Sequence, residues 1–276
     1  MVTNLIRPSY QNNFYTPQRG GMPAFPNLWK NLILALVPAL GNSGIITLPD
    51  VSVFKNDGTL NGTNVASNWV ESTNPIFQGH SLSFNDSDNN IAPSSALLPD
   101  LTQGSIAMWI KFNDLSGSGY LFDLETPRIV AWSDTSSTKL SFYASSTFTS
   151  NGDLNTTDWW HIVCTWDDIG DAVAIYFNGA LDNSDTGVST TSTPSGNFLI
   201  GARNSDAFHL GGEISSFLMY NRLLTLSEIK HLYTDQHSLF RTKQFVGKAP
   251  VVAGVSVGRL INSGLVNSGL IGGRLV

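Results

Sequence analysis

Three groups of residues have the types and spacing to do chemistry. Asn85, Asp86, Asp88 and Asn89 crowd oxygen-bearing side chains into one short run. That is a donor set for calcium, with Asp86, Asp88 and Asn89 as the ligands. The run lacks the twelve-residue loop that ends in Glu, and the same residues also make an ordinary Asx-rich turn. Trp132, Asn204 and Asp206 form the second group: an aromatic plate with an amide and a carboxylate, the components of a sugar site. Glu213 and Arg222 form the third, either a catalytic pair, a structural ion pair or plain surface residues.

Other chemistries lack their parts. Glutamate occurs only at 71, 125, 213 and 228, and the aspartates sit mostly in turns, so two carboxylates facing one cleft, as glycoside hydrolysis needs, are not evident. No G-x-S-x-G run marks a nucleophile. The histidines at 80, 161, 209, 231 and 237 have no H-E-x-x-H spacing. The expectation is a protein that is not an enzyme and needs no cofactor, with calcium at the Asp/Asn run as the alternative to the turn. A formal net charge of -6 without a basic run argues against nucleic acid as a partner. The one cysteine, Cys164, excludes an internal disulfide and sits mid-strand, as a small buried hydrophobe would.

Charged residues make up 13% of the chain, against about 25% in an average globular protein. Ser, Thr, Asn and Gly replace them, as in a turn-rich β protein. The strongest element signal is D-W-W-H-I-V-C-T-W-D-D-I-G-D-A-V-A-I-Y-F-N-G-A-L, from Asp158 to Leu181. Trp160, Ile162, Cys164 and Trp166 recur at period two, and Val173, Ile175 and Phe177 do so again after a polar turn. Asn178-Gly179 suits a type I′ turn. Ser105 to Phe112, Tyr120 to Leu124, Arg128 to Trp132, Lys139 to Ala144 and Asn197 to Gly201 read as further strands, and Ser145 to Thr157 as a polar loop. Thr225 with Glu228 is a capping box, opening a short helix whose apolar stripe, Leu226, Ile229 and Leu232-Tyr233, would lie on the sandwich edge.

The Trp-His strand, the strand ending in Tyr-x-Asn-Gly and the return strand resemble the laminin G-like, concanavalin A-like jelly-roll domains. Asp50, Ser52, Asn56, Gly58, Thr59 and Leu60 match a second motif of that family. Leu82 and Phe84 before the Asp/Asn loop match a third, and Gly212 to Tyr233 match a fourth, with Ser215 where the family pattern has Asp. The resemblance implies an all-β, two-sheet antiparallel sandwich with one short C-terminal helix. That sandwich hosts lectins, adhesins, enzymes and structural modules.

Three regions follow: an extended N-terminal arm over 1–26, the jelly roll over 27–240 and an apolar, Gly-rich C-terminal tail over 241–276. The arm scatters Tyr10, Phe14 and Tyr15 among prolines. The tail repeats apolar pairs at a period of five, with Leu260-Ile261, Leu265-Val266 and Leu270-Ile271 among them. Neither can bury a core alone, so both are expected to assemble against other chains or copies of this one. No apolar run is long enough to span a membrane or to serve as a signal peptide. Leu28-Trp29, the apolar run and P-A-L-G-N-S-G resemble proteins encoded by tailed bacteriophages. That resemblance implies a virion structural protein made in the host cytoplasm, a capsid decoration or fibre-like component anchored by its arms. Its partners would be other virion proteins and its own copies, a trimer fitting such a component. The alternative is a carbohydrate-binding adhesin for host-surface glycans, and the two are compatible.

Overall fold

The computed structural model describes residues 10–11, 16–17, 24–76, 79–93, 99–134, 137–187 and 195–240. By contacts the chain divides into Met1–Lys243 and Gln244–Val276, and the second unit lies outside the described residues.

Among the described residues there are eighteen strands. They begin with β1 (Tyr10–Gln11), β2 (Thr16–Pro17), β3 (Leu32–Leu36), β4 (Thr47–Leu48), β5 (Gly58–Asn61) and β6 (Trp69–Glu71). Next come β7 (His80–Asn85), β8 (Asn90–Pro93), β9 (Gln103–Phe112), β10 (Tyr120–Thr126), β11 (Ile129–Ser133) and β12 (Leu140–Ala144). The last are β13 (Ser146–Thr149), β14 (Trp159–Asp167), β15 (Ala172–Phe177), β16 (Ala180–Asp185), β17 (Ser195–Ile200) and β18 (Gly211–Tyr220), followed by helix α1 (Leu226–Thr234). One eight-stranded antiparallel sheet runs β13-β12-β11-β10-β17-β8-β5-β4. The other runs β16-β15-β14-β9-β18-β7-β6, with β3 also paired to β18. This is the expected all-β sandwich of two antiparallel sheets.

The period-two pattern builds the core. Trp160 packs against it, and Ile162, Cys164 and Trp166 enter it from β14, meeting Ile106, Met108, Ile110 and Phe112 of β9 and Leu121, Phe122 and Leu124 of β10. Leu82 and Phe84 point inward, as expected. Trp166 lies fully buried, its indole Nε1 donating to the Leu101 carbonyl oxygen at 2.8 Å. It occupies the space a side chain at Gly104 would need, since a Cβ there would fall 2.2 Å from the indole ring.

The far face of the second sheet carries a second apolar layer. Ala107, Val163, Leu218 and Tyr220 face outward there and are covered by Leu28, Trp29, Ile229, Leu232, Leu239 and Phe240. So α1 lies on the face of that sheet, not at its edge, and Leu226 of the expected stripe is left 46% exposed. The helix opens on the predicted capping box, with the Thr225 hydroxyl accepting from the Glu228 N–H and the Glu228 carboxylate accepting from the Thr225 N–H.

Other differences are local. The loop expected over Ser145 to Thr157 contains β13, whose Phe148 reaches the core. Trp29 closes a 3-10 turn just before β3. Phe25 already packs on the second layer, and β1 pairs with β2 within the segment read as an extended arm. Among the described residues no helix is long and apolar enough to cross a membrane.

Candidate functional site

The hairpin β10–β11 and strand β12 present a site on the outer face of the first sheet. Ile129 and Ala131 of β11 point into the core, so Val130 and Trp132 point out. Register sets Tyr120 opposite Trp132 and Tyr143 opposite Val130. The Tyr120 and Trp132 rings stack, with centroids 5.7 Å apart and 17° between planes. With Arg128, from the turn before β11, these residues line a cleft of about 240 Å3: Tyr120, Arg128, Val130, Trp132 and Tyr143. Phe208, exposed, extends the aromatic row, its ring 5.8 Å from Tyr120 and 5.7 Å from the Arg203 guanidinium.

Asp123 lies under the cleft with no solvent exposure. Arg128 Nη2 donates to its Oδ2 at 2.9 Å, while Arg128 Nε stands 2.9 Å from Oδ1 as a charge contact outside hydrogen-bond geometry. The Asn204 backbone N–H donates to the same Oδ2 at 3.0 Å. Burial pushes the Asp123 carboxyl above the usual range, against the pull of the Asn204 N–H, Arg128 and Arg203. The carboxylate thus fixes the Arg128 side chain in place.

The three residues expected at a sugar site separate here. Trp132 lines the cleft. Asn204 braces Asp123 from below through its backbone, and its carbonyl oxygen accepts from Asn197 Nδ2. Asp206 turns away, accepting from Asn90 Nδ2 at 2.8 Å and lying 3.7 Å from His209 Nε2. Sequence reasoning missed Tyr120, Arg128, Tyr143 and Phe208. Cross-strand pairing sets Tyr120 opposite Trp132 and Tyr143 opposite Val130, and because a register shift between Tyr120 and Phe122 turns Tyr120 outward against the parity of Phe122 and Leu124, alternation in the sequence did not signal it.

In the Asp/Asn loop, Asp88 uses both carboxylate oxygens on local donors, Asn85 Nδ2 and the Thr63 N–H, each at 2.8 Å. Those bonds, the Asn85 one foremost, hold its carboxyl below the usual range. Asp86 has a positive φ of 57°, and Asn85 Oδ1 accepts from the Ser87 and Asp88 N–H groups. Among the described residues no group of three or more His, Cys, Asp or Glu could hold a metal. The bonds from Asn85 Oδ1 to the Ser87 and Asp88 N–H groups are those of an Asx turn.

Glu213 and Arg222 stand near opposite ends of β18, about 30 Å apart at the rise of an extended strand. Glu213 accepts from Ser81 Oγ, and Arg222 pairs with Glu228 at 2.8 Å and donates to the carbonyls of Asn27 and Lys30. They form neither a catalytic pair nor an ion pair with each other. Of the residues assigned to assembly, only the Tyr10 backbone is described; Phe14, Tyr15, Leu260, Ile261, Leu265, Val266, Leu270 and Ile271 lie outside the described residues.

Residues 85–230, just over half of the 276-residue chain, match the family model described as the concanavalin A-like lectin/glucanases superfamily. Among solved structures, the chain is similar to Trypanosoma rangeli sialidase in complex with sialic acid, at 19% identity and a TM-score of 0.55, over 75% of this chain and 33% of that one. It thus spans about a third of the sialidase's length. It is also similar to domain 4 of a GH43 extracellular arabinanase from Geobacillus stearothermophilus, in complex with arabinotriose. There the identity is 19% and the TM-score 0.56, over 74% of this chain and 98% of that one. No curated protein matches the sequence.

Proposed function

Because the chain belongs to the concanavalin A-like lectin/glucanases superfamily, we propose that it is a carbohydrate-binding module, not an enzyme, and that the Tyr120–Trp132 cleft takes the sugar. The observation that carries this is the stacked aromatic pair held outward on a rigid sheet, in a cleft with a tyrosine hydroxyl and a guanidinium at hand. Aromatic faces bind the C–H faces of sugar rings, and convergent polar groups orient the hydroxyls. The arabinanase domain solved with arabinotriose is a companion in fold.

A glycan array on the full chain, followed by calorimetry on its best ligand, tests this. Trp132→Ala is expected to weaken binding about tenfold or more, roughly 1.4 kcal/mol, with the melting transition retained. An array without a single bound glycan, or undiminished binding by the variant, would remove the reading.

The finer role is a surface component of a tailed-phage virion. The observation favouring it is where the sandwich ends meet. Trp29 Nε1 donates to the Leu239 carbonyl oxygen at 2.5 Å and its ring meets Phe240 edge-on at 5.9 Å. Both flanking segments therefore join the sandwich at one place on the second sheet's outer layer, while the cleft opens on the outer face of the other sheet. Anchoring through the flanks leaves the cleft free to meet host-surface glycans. Light scattering should give a defined oligomer for the full chain and a monomer for one ending at Phe240. Two monomers would sink self-assembly by the tail.

A further inference from the structure

The charges at the cleft carry the carbohydrate reading, on which this step rests, to a substrate class. We propose that the sugar bound there bears a carboxylate and that Arg128 is the residue that binds it. Among the described residues that line the cleft, Arg128 alone is charged. A guanidinium has five N–H donors in a planar fork. Asp123 meets Nη2 and Nε, and no described residue meets Nη1, so one edge of the fork is left for a ligand. The ion pair with Asp123 also fixes that edge before any ligand arrives, which lowers the entropy lost on binding.

Arg203 as well as Arg128 acts on the single Asp123 carboxylate. Glu125 Oε2 accepts from the Asn197 N–H at 2.9 Å and Asp206 from Asn90, and neither is among the described residues that line the cleft. Arg128 thus presents a guanidinium edge in a cleft walled by aromatics. A planar N–H edge matches the two coplanar oxygens of a carboxylate, and the Tyr120, Trp132 and Tyr143 rings suit the sugar ring that carries it.

Calorimetry on the full chain tests this with matched probes. Oligogalacturonate is compared with its methyl ester, which keeps the rings and removes the charge. N-acetylneuraminic acid and its methyl ester form the second pair, separating a uronate from a sialate, and dextran sulfate is the third probe. One acid is expected to bind about tenfold or more tighter than its ester, with affinity falling as NaCl rises. In Arg128→Lys, which keeps the charge beside Asp123 but loses the fork, the acid-to-ester ratio should fall toward one. Equal affinity for acid and ester, or a preference for dextran sulfate, overturns the carboxylate assignment; if neutral glycans still bind, the carbohydrate reading stands. No binding to any glycan overturns both. A full acid preference in folded Arg128→Lys overturns the role of Arg128.

Discussion

Replacing Asp50 with alanine is expected to destabilise the sandwich by roughly 3–5 kcal/mol, because a buried, fully engaged carboxylate leaves its donors stranded. Asp50 has no solvent exposure. Its Oδ1 accepts from the Ala35 and Ser52 N–H groups, both at 2.8 Å, and its Oδ2 from Ser52 Oγ at 2.6 Å and the Asn56 N–H at 2.9 Å. These bonds fasten β3, which flanks β18 in the second sheet, to the connection between β4 and β5 in the first. Alanine would strand three backbone donors out of reach of water, while the Ser52 hydroxyl would keep the Ile33 carbonyl oxygen at 3.3 Å. Asp50→Asn should cost less, since its oxygen can keep the pair at Ala35 and Ser52, while its amide nitrogen opposes the Asn56 N–H. Urea unfolding reads both. A loss below about 1 kcal/mol for the alanine variant would mean that water reaches these donors, and the account would fail.

Asp50 also shows why one part of the chain was legible and another was not. The D-x-S-x-x-x-N run that carried the family resemblance is a local device: Ser52 and Asn56 lie within reach of Asp50 along the chain. The Trp-His and Tyr-x-Asn-Gly motif is equally local. His161 and Asn178 exchange bonds across the hairpin, the His161 N–H donating to Asn178 Oδ1 and the Asn178 N–H to the His161 carbonyl oxygen. Gly179, at φ 80°, then lies against the Tyr233 ring, where a Cβ would come within 3.0 Å. Such motifs name a fold because they hold it, and they say nothing of a ligand. The cleft is different in kind. Trp132, Tyr120 and Tyr143 are brought together by register between three strands, and Asn204 reaches Asp123 across 81 positions. Neither distance leaves a spacing signal, so Trp132 and Asn204 could be nominated only by residue type. Type alone misplaced Asp206, which has the chemistry of a sugar ligand but points at Asn90.

The same hairpin makes the protein sensitive to acid, through His161. The side chain is buried, packed by Trp109 at 5.3 Å and Tyr233 at 6.0 Å, and its Nδ1 has no hydrogen-bond partner. Burial lowers its pKa from 6.5 to about 3. The unfolded chain takes up a proton near 6.5 that the folded chain refuses until about 3, so between those values the unfolded state binds more protons and stability falls as pH falls. Each unit is worth about 1.4 kcal/mol, so by pH 4 the loss from this residue is roughly 3 kcal/mol. Carboxylates held below their usual range add to the acid limb. At Glu228, burial raises the pKa, but bonds from Arg222 and Thr225 more than reverse it, and their contribution disappears as the pH drops through its lowered value. Those groups are unchanged in His161→Gln, so the difference between the two proteins isolates the histidine. The variant, whatever its stability at pH 7, should lose roughly 3 kcal/mol less than the native chain between pH 7 and pH 4 in urea unfolding. Parallel acid limbs would show that His161 is protonated in the folded state, and that the Trp109–Tyr233 layer opens to admit it.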